Sequence, residues 1–271
     1  MHRKPRTGTT RPTSSDPVCG RFAFWHEIEP LADDVNALDL TSGALASRFN
    51  IPPTVPIVVV TESVDRDSGE LVRALRVARW GLLPPFAKDE SFSSRTFNAR
   101  AESLADKPSF RGSLPSRRAI IPISGYYEWT PAEGRKRRRA QFIHRADQQP
   151  MLLAGLIAWW QGPGKSTGPD VYDDGRWRLT ATIITAEADG AMRDLHARIP
   201  VILTREQAEV WLRSDSFGTG REAHSWINDT ANRAPTSELE VYEVSPEVGD
   251  VRSQGPHLME PVAHAQPSLI D

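Results

Sequence analysis

Cys19 is the only thiol in the 271 residues, and it stands in the run Cys19-Gly20-Arg21-Phe22, where a polar leader gives way to an apolar chain. A lone Cys reads either as a small buried hydrophobe or as a nucleophile. At a chain terminus it would carry two nucleophiles on adjacent carbons, an α-amine and a thiol. Such a pair condenses with an aldehyde to form a five-membered thiazolidine ring. The α-amine has a pKa of about 7.7–8.0 against about 10.4 for lysine, so its neutral fraction near pH 7 is larger by roughly two orders of magnitude. The ring requires a free amine on Cys19, whereas Met1–Val18 precede it in the sequence.

Three further groups could orient a reactant or move protons. Asn98-Ala99-Arg100-Ala101-Glu102 reads as a helix start capped by Asn98, or as an Asn that orients a reacting group beside a phosphate-binding Arg100. Gly125-Tyr126-Tyr127-Glu128-Trp129 sets a carboxylate between aromatics at the end of an apolar strand. Glu128 is either a solvated strand-end acid or one that aromatic packing leaves able to shuttle protons near neutrality. His196-Ala197-Arg198-Ile199-Pro200 offers a structural histidine or a proton donor.

Two stretches could touch a polyanion. Trp80-Gly81-Leu82-Leu83-Pro84-Pro85-Phe86 is an apolar, proline-stiffened loop, either core or a set of rings that stack on or wedge between bases. Arg135-Lys136-Arg137-Arg138-Arg139 follows a Pro-Ala-Glu-Gly turn. It is a solvated hairpin tip or a local phosphate patch.

Other chemistries lack their motifs. Neither a G-x-G-x-x-G nor a P-loop pattern occurs, nor H-E-x-x-H, nor G-x-S-x-G. His26, His144, His196 and His257 are too dispersed to suggest a metal centre, and one Cys excludes a disulfide framework and a Cys-rich zinc site. Lys plus Arg number 33 against 35 Asp plus Glu, a net charge of −2, so a polyanion site must be a local patch. The longest apolar run, Met151–Trp160, is about half of the roughly 18–20 residues a membrane span needs. No apolar region of signal-peptide type follows the basic start. The expected setting is the reducing cytoplasm.

The elements that must position these residues are mostly strands. Residues 1–17 hold no large apolar side chain after Met1 and are expected to be disordered. Apolar runs then recur at Ile57–Val60, Leu71–Trp80, Ala119–Ile123, Phe142–His144, Leu152–Leu156, Leu179–Thr185, Val201–Leu203 and Leu239–Val244. Helices are expected over Glu27–Leu38 and over Thr204–Ser214, with Thr204 as cap. With 22 prolines, the pattern is a β-dominated α+β domain with long loops. Gly162–Asp174 reads as a surface insertion, and residues 263–271 as a frayed tail. No internal repeat is present.

Seven blocks taken in order resemble the SRAP (SOS response-associated peptidase) family. They are Cys19-Gly20-Arg21-Phe22, Arg48-Phe49-Asn50-Ile51-Pro52-Pro53-Thr54, Trp80-Gly81-Leu82-Leu83-Pro84, Asn98-Ala99-Arg100-Ala101-Glu102, Gly125-Tyr126-Tyr127-Glu128-Trp129, His196-Ala197-Arg198-Ile199-Pro200 and Val244-Ser245-Pro246-Glu247-Val248-Gly249. The resemblance covers residues 18–262 as one domain. It implies an α+β fold, a single mostly antiparallel, barrel-like β domain with flanking helices, and a basic groove for single-stranded DNA. It also implies self-crosslinking to abasic sites, with Cys19 forming the thiazolidine on the ring-opened sugar. Asn98 would position the amine and sugar, Glu128 act as general acid and base, and His196 donate a proton to the ring oxygen. DNA contacts would come from Arg21, Asn50, Pro53, Trp80, Pro84, Phe86, Arg100, Arg137 and Arg198. No metal or organic cofactor is implied. The implied partners are single-stranded DNA with abasic sites and the replication machinery, met by a monomer at the cytoplasmic nucleoid.

The chain departs from the family pattern in places. Phe86 is followed by Ala87, which shrinks the base wedge. Pro108 stands where a basic residue is common, with Arg111 as the compensating cation, and Val-Gly is followed by Asp250 rather than Asn. Two other readings use the same residues. One is an autoprocessing cysteine peptidase in which Cys19, Glu128 and His196 cut the Pro17-Val18-Cys19 region, and the other is a non-catalytic binder of single-stranded or modified DNA. Because a GTG codon encodes Val internally and Met at a start, translation from Val18 followed by Met removal would expose Cys19.

Overall fold

The computed structural model describes residues 20–45, 47–65, 68–131, 138–172, 175–231 and 236–263, and the backbone of 268–269. Cys19, Arg137 and the 1–17 segment lie outside the described residues. The chain starts with β1 (Phe22–Phe24), α1 (Ile28–Asp34), β2 (Leu38–Asp39), β3 (Arg48–Ile51), β4 (Pro56–Val64) and β5 (Leu71–Trp80). Then come β6 (Asn98–Arg100), α2 (Pro108–Arg111), β7 (Arg118–Ile123), β8 (Gly125–Thr130), β9 (Arg139–Arg145) and β10 (Met151–Gln161). The last part holds β11 (Val171–Tyr172), β12 (Trp177–Glu187), α3 (Met192–Leu195), β13 (Arg198–Pro200), β14 (Ile202–Leu203) and α4 (Arg205–Leu212). It closes with α5 (Gly220–Ala231), β15 (Leu239–Val244) and β16 (Ser268–Leu269).

The longest apolar runs pair with one another. In the order β12-β10-β7-β4-β5 they form antiparallel neighbours, and parallel pairing of β5 with β12 (Arg79 opposite Thr180, Trp80 opposite Ala181) closes a five-stranded barrel. Closure removes the open edges that such apolar strands would otherwise present. It also explains the sequence texture: all six residues of β7 and nine consecutive residues of β12 are buried. A second sheet, β16-β15-β9-β8-β1-β3, is antiparallel throughout. The chain crosses between sheets at Ser124, whose N–H donates to the Ala23 carbonyl (2.8 Å) and whose hydroxyl accepts from Trp25 N–H (3.0 Å). The expected mostly antiparallel, barrel-like fold with flanking helices is what the chain adopts.

Gly81 turns the chain out of β5 at φ 137°, a backbone region open chiefly to glycine, and a Cβ there would run into Ser93. Helix α4 carries the expected Thr204 cap as a full capping box with Gln207. It buries Trp211, whose indole N–H bridges the carbonyls of Ala119 and Gly155 on adjacent barrel strands.

Several expectations are corrected. The first helix stops at Asp34, four residues early, because Asn36 takes a left-handed conformation (φ 49°) that turns the chain into β2. Asn98 does not cap a helix; it lies on β6 opposite Ile183 of β12. Gly162–Asp174 is not a plain surface insertion, since Asp170 is buried against Arg178 (2.8 Å) and Tyr172 is tied to Val77. Within the tail expected to fray, Ser268–Leu269 pair with β15. Helix α5 was missed altogether.

Candidate functional site

The site is set by the register between β1 and β8. Phe22 lies opposite Tyr126 and Ala23 opposite Gly125, and the Arg21 carbonyl accepts from Tyr127 N–H at 2.9 Å. Continuing that antiparallel count brings Gly20 level with Glu128. Side chains alternate along a strand, so Glu128 shares a face with Tyr126, toward the barrel core, while Tyr127 and Trp129 face the other cluster. Glu128 is buried, at 4% exposure. Gly20 is the covalent neighbour of Cys19.

Arg21 and Phe22 anchor this end of the chain. The Phe22 ring packs on the fully buried Trp80 at 4.8 Å. Arg21 Nη1 donates to Asn50 Oδ1 and to the Val248 carbonyl, both at 2.8 Å, and its guanidinium lies over the Trp129 ring. Burial lowers the Arg21 pKa from its ordinary value.

Asn98 lies on, and His196 just before, the two short strands that flank the end of β12. On one side β6 runs parallel to it, with Asn98, Ala99 and Arg100 opposite Ile183, Ile184 and Thr185. On the other, β13 pairs Arg198 with Glu187. His196 sits at the α3–β13 junction, buried at 9% exposure, and α3 packs against β8. The Nδ1 atom of His196 accepts from Arg198 N–H at 3.1 Å. The neutral ring therefore carries its proton on Nε2.

A cleft of about 740 Å³ opens beside Asn98. Its walls bring together Arg95, Arg100, Lys107 and Arg198 against two carboxylates, Glu102 and Glu187, with Phe92 and Phe110 as apolar floor. Arg198 is already engaged: Nη2 donates to the Thr185 carbonyl (2.7 Å) and to Glu102 (2.9 Å). Arg100 and Lys107 are exposed and make no ion pair among the described residues. Lys107 and Arg95 were missed in the sequence because they sit in no motif. The one available signal was position, since Lys107 adjoins Pro108, where a cation was expected, and Lys107 rather than Arg111 lines the cleft.

The remaining expected contacts divide by burial. Asn50 and Trp80 are fully buried and Pro84 is buried. Asn50 instead donates to the carbonyls of Val248, Asp250 and Ser253 (2.9–3.1 Å), and Trp80 donates to the Phe97 carbonyl next to Asn98 (2.8 Å). Pro53 is half-buried, and Phe86 is 56% exposed, edge-on to Phe92 at 5.9 Å. Among the described residues no group of His, Cys, Asp and Glu could hold a metal ion, and no helix is long and apolar enough to cross a membrane.

The abasic site processing protein YoqW of Bacillus subtilis is similar to this chain, 31% identical over 245 residues that cover 90% of this chain and 99% of its own. The abasic site processing protein YedK of Escherichia coli is 29% identical over 249 residues, covering 90% of this chain and all of its own. A crystal structure of a protein from Bacteroides thetaiotaomicron shares the fold at a TM-score of 0.67 and 20% identity, covering 90% of this chain and 99% of that one. The family model for SOS response associated peptidase (SRAP) matches residues 18–251. By that match across most of its length, the chain belongs to the SRAP family.

Proposed function

We propose that this protein captures abasic sites in single-stranded DNA as a covalent thiazolidine through Cys19, acting once Cys19 is the first residue of the working chain. The neutral α-amine of Cys19 adds to the aldehyde of the ring-opened sugar, forming a C–N bond. Loss of one water leaves an imine, and addition of the thiol sulfur to the imine carbon closes the ring as the C=N π bond breaks and the thiol proton passes to the nitrogen. Glu128 takes the proton from the amine and delivers one to the departing hydroxyl. His196 presents its Nε2–H to the sugar ring oxygen as a hydrogen-bond donor and so assists its opening. Asn98 orients the sugar, and Arg100 with Lys107 holds the flanking phosphates. Residues 18–262 act as one domain in this reading.

The observation that carries the proposal is the β1–β8 register, which brings a buried carboxylate level with Gly20, the covalent neighbour of the only thiol. The relatives' names, which specify abasic site processing, support it. The test mixes chain beginning at Cys19 with single-stranded DNA carrying one abasic site and resolves the mixture on a denaturing gel. A heat-stable shifted band is expected. Tight native binding without that band would leave a non-covalent binder, and cleavage of the Pro17-Val18-Cys19 region in the full chain would favour the autoprocessing peptidase.

A further inference from the structure

A second cleft lies at the opposite end of β12. Trp177, the first residue of that strand, is six residues from Ile183, the partner of Asn98, which is about 20 Å along an extended chain. The cleft is about 770 Å³, and Arg76, Arg117, Trp159, Tyr172 and Trp177 line it with no acidic residue in its described wall. Neither arginine has an ion-pair partner among the described residues. The Tyr172 hydroxyl donates to the Val77 carbonyl (2.9 Å) and accepts from Val77 N–H (3.3 Å), so its ring is fixed, edge-on to Trp159 at 5.0 Å. Trp177 is 37% exposed.

The two clefts are joined by one loop. Pro85 lines the second cleft, the next residue is the exposed Phe86, and Phe86 meets Phe92 of the first. Aromatic rings, and arginines and a lysine that make no ion pair among the described residues, thus occur in both clefts, with Phe86 between them. Rings beside arginines suit a nucleotide unit, which offers a π-face for stacking and a phosphate for the guanidinium. The volume lies within the range of small-ligand sites.

We propose that this second cleft holds one undamaged nucleotide of the same DNA strand, its base against Trp177 and Trp159 and its phosphate on Arg76 and Arg117. The assignment rests on the reading of the first cleft as a DNA site but not on the covalent step. It is tested with undamaged single strands of about 5 and about 15 nucleotides, binding to the wild type and to the double variant Trp177→Ala, Arg117→Ser. The long strand is expected to bind the wild type more tightly than the short one. The variant is expected to lose at least about fivefold of affinity for the long strand, with its log–log salt slope flattened by roughly 0.7. Affinity for the short strand stays unchanged. Crosslinking of a short abasic strand and the thermal midpoint, measured in parallel, report on the covalent proposal and on folding separately. Equal affinity of wild type and variant for the long strand would overturn the assignment. So would free deoxyadenosine monophosphate binding the wild type but not the variant, with no effect of strand length, since the cleft would then serve a soluble nucleotide.

Discussion

The backbone N–H of Arg198 donates to Nδ1 of His196 at 3.1 Å, while the guanidinium of the same arginine holds the Thr185 carbonyl and Glu102. One residue thus sets the histidine tautomer and clamps the strand that carries it to the edge of the Asn98 cleft. A histidine so oriented keeps Nε2–H free to donate a hydrogen bond to a developing negative oxygen. His196→Ala and Glu128→Gln should each slow covalent capture of an abasic strand by roughly 10²–10⁴-fold. Native DNA binding should stay within a few fold. Single-turnover gels beside equilibrium binding check this, and equal losses in both would assign these residues to the groove instead.

Cys19→Ala keeps an α-amine and removes the sulfur. The unreduced, heat-stable adduct should vanish, while borohydride still traps an imine from the remaining amine. A stable adduct at wild-type yield without reductant would refute ring closure by sulfur.

Arg100 and Lys107 are exposed cations on the wall of the Asn98 cleft without ion-pair partners among the described residues. Each that contacts a phosphate releases a counterion on binding. Arg100→Ser and Lys107→Ser should therefore each flatten the log–log salt dependence for single-stranded DNA by roughly 0.7. Arg111→Ser, outside that wall, should leave the slope alone.

The barrel was legible in the sequence because strands buried on both faces carry few charged residues, as in the apolar run Ala119–Ile123 and in Leu179–Thr185, where the only polar residues are threonines. Helix α4 was legible through its Thr204 cap. Helix α5 was not read, although its buried positions Ala223, Ile227, Thr230 and Ala231 fall at helical spacing, because they are small or single apolar residues in a polar stretch. At the site, residue types announced the chemistry but not the burial. Asn50 and Trp80 stand in motif blocks just as Asn98 does, yet their side chains are fully buried. Only the β1–β8 register reveals that Glu128 is level with Gly20, because cross-strand pairing leaves no trace in local spacing.

The tyrosines give an alkaline limit. Burial raises the Tyr242 pKa to about 12 and pushes Tyr127 higher still, on the cluster that packs behind β8. A phenol whose folded pKa exceeds its unfolded value of about 10 binds its proton more tightly when folded. Stability from these groups is therefore full below about pH 10 and falls as pH rises toward 12. Tyrosinate absorbance should appear late and together with loss of ellipticity. Phenolate from Tyr242 titrating near pH 10 in the folded protein would contradict that packing.

Asn50 separates a positioning role from a DNA contact. Its amide nitrogen donates to Val248, Asp250 and Ser253 carbonyls, its Oδ1 accepts from Arg21, and its own carbonyl accepts from Gln254 at 2.8 Å. The side chain thus ties the 248–253 segment to Arg21, two residues from Cys19. Asn50→Ala leaves the Ser253 carbonyl and one guanidinium N–H of Arg21 short of a partner, while the Val248 and Asp250 carbonyls keep Arg21 and Ser253 N–H, at a cost of about 1–3 kcal/mol. For a chain of this size that lowers the thermal midpoint by about 2–4 °C per kcal/mol. Asn50→Asp should be worse, because a carboxylate oxygen would replace the donor that faces three carbonyls. In both variants the salt slope of DNA binding should match the wild type below the midpoint, since no phosphate contact is lost. A variant with an unchanged midpoint but weakened, flatter-sloped binding would return Asn50 to the DNA surface.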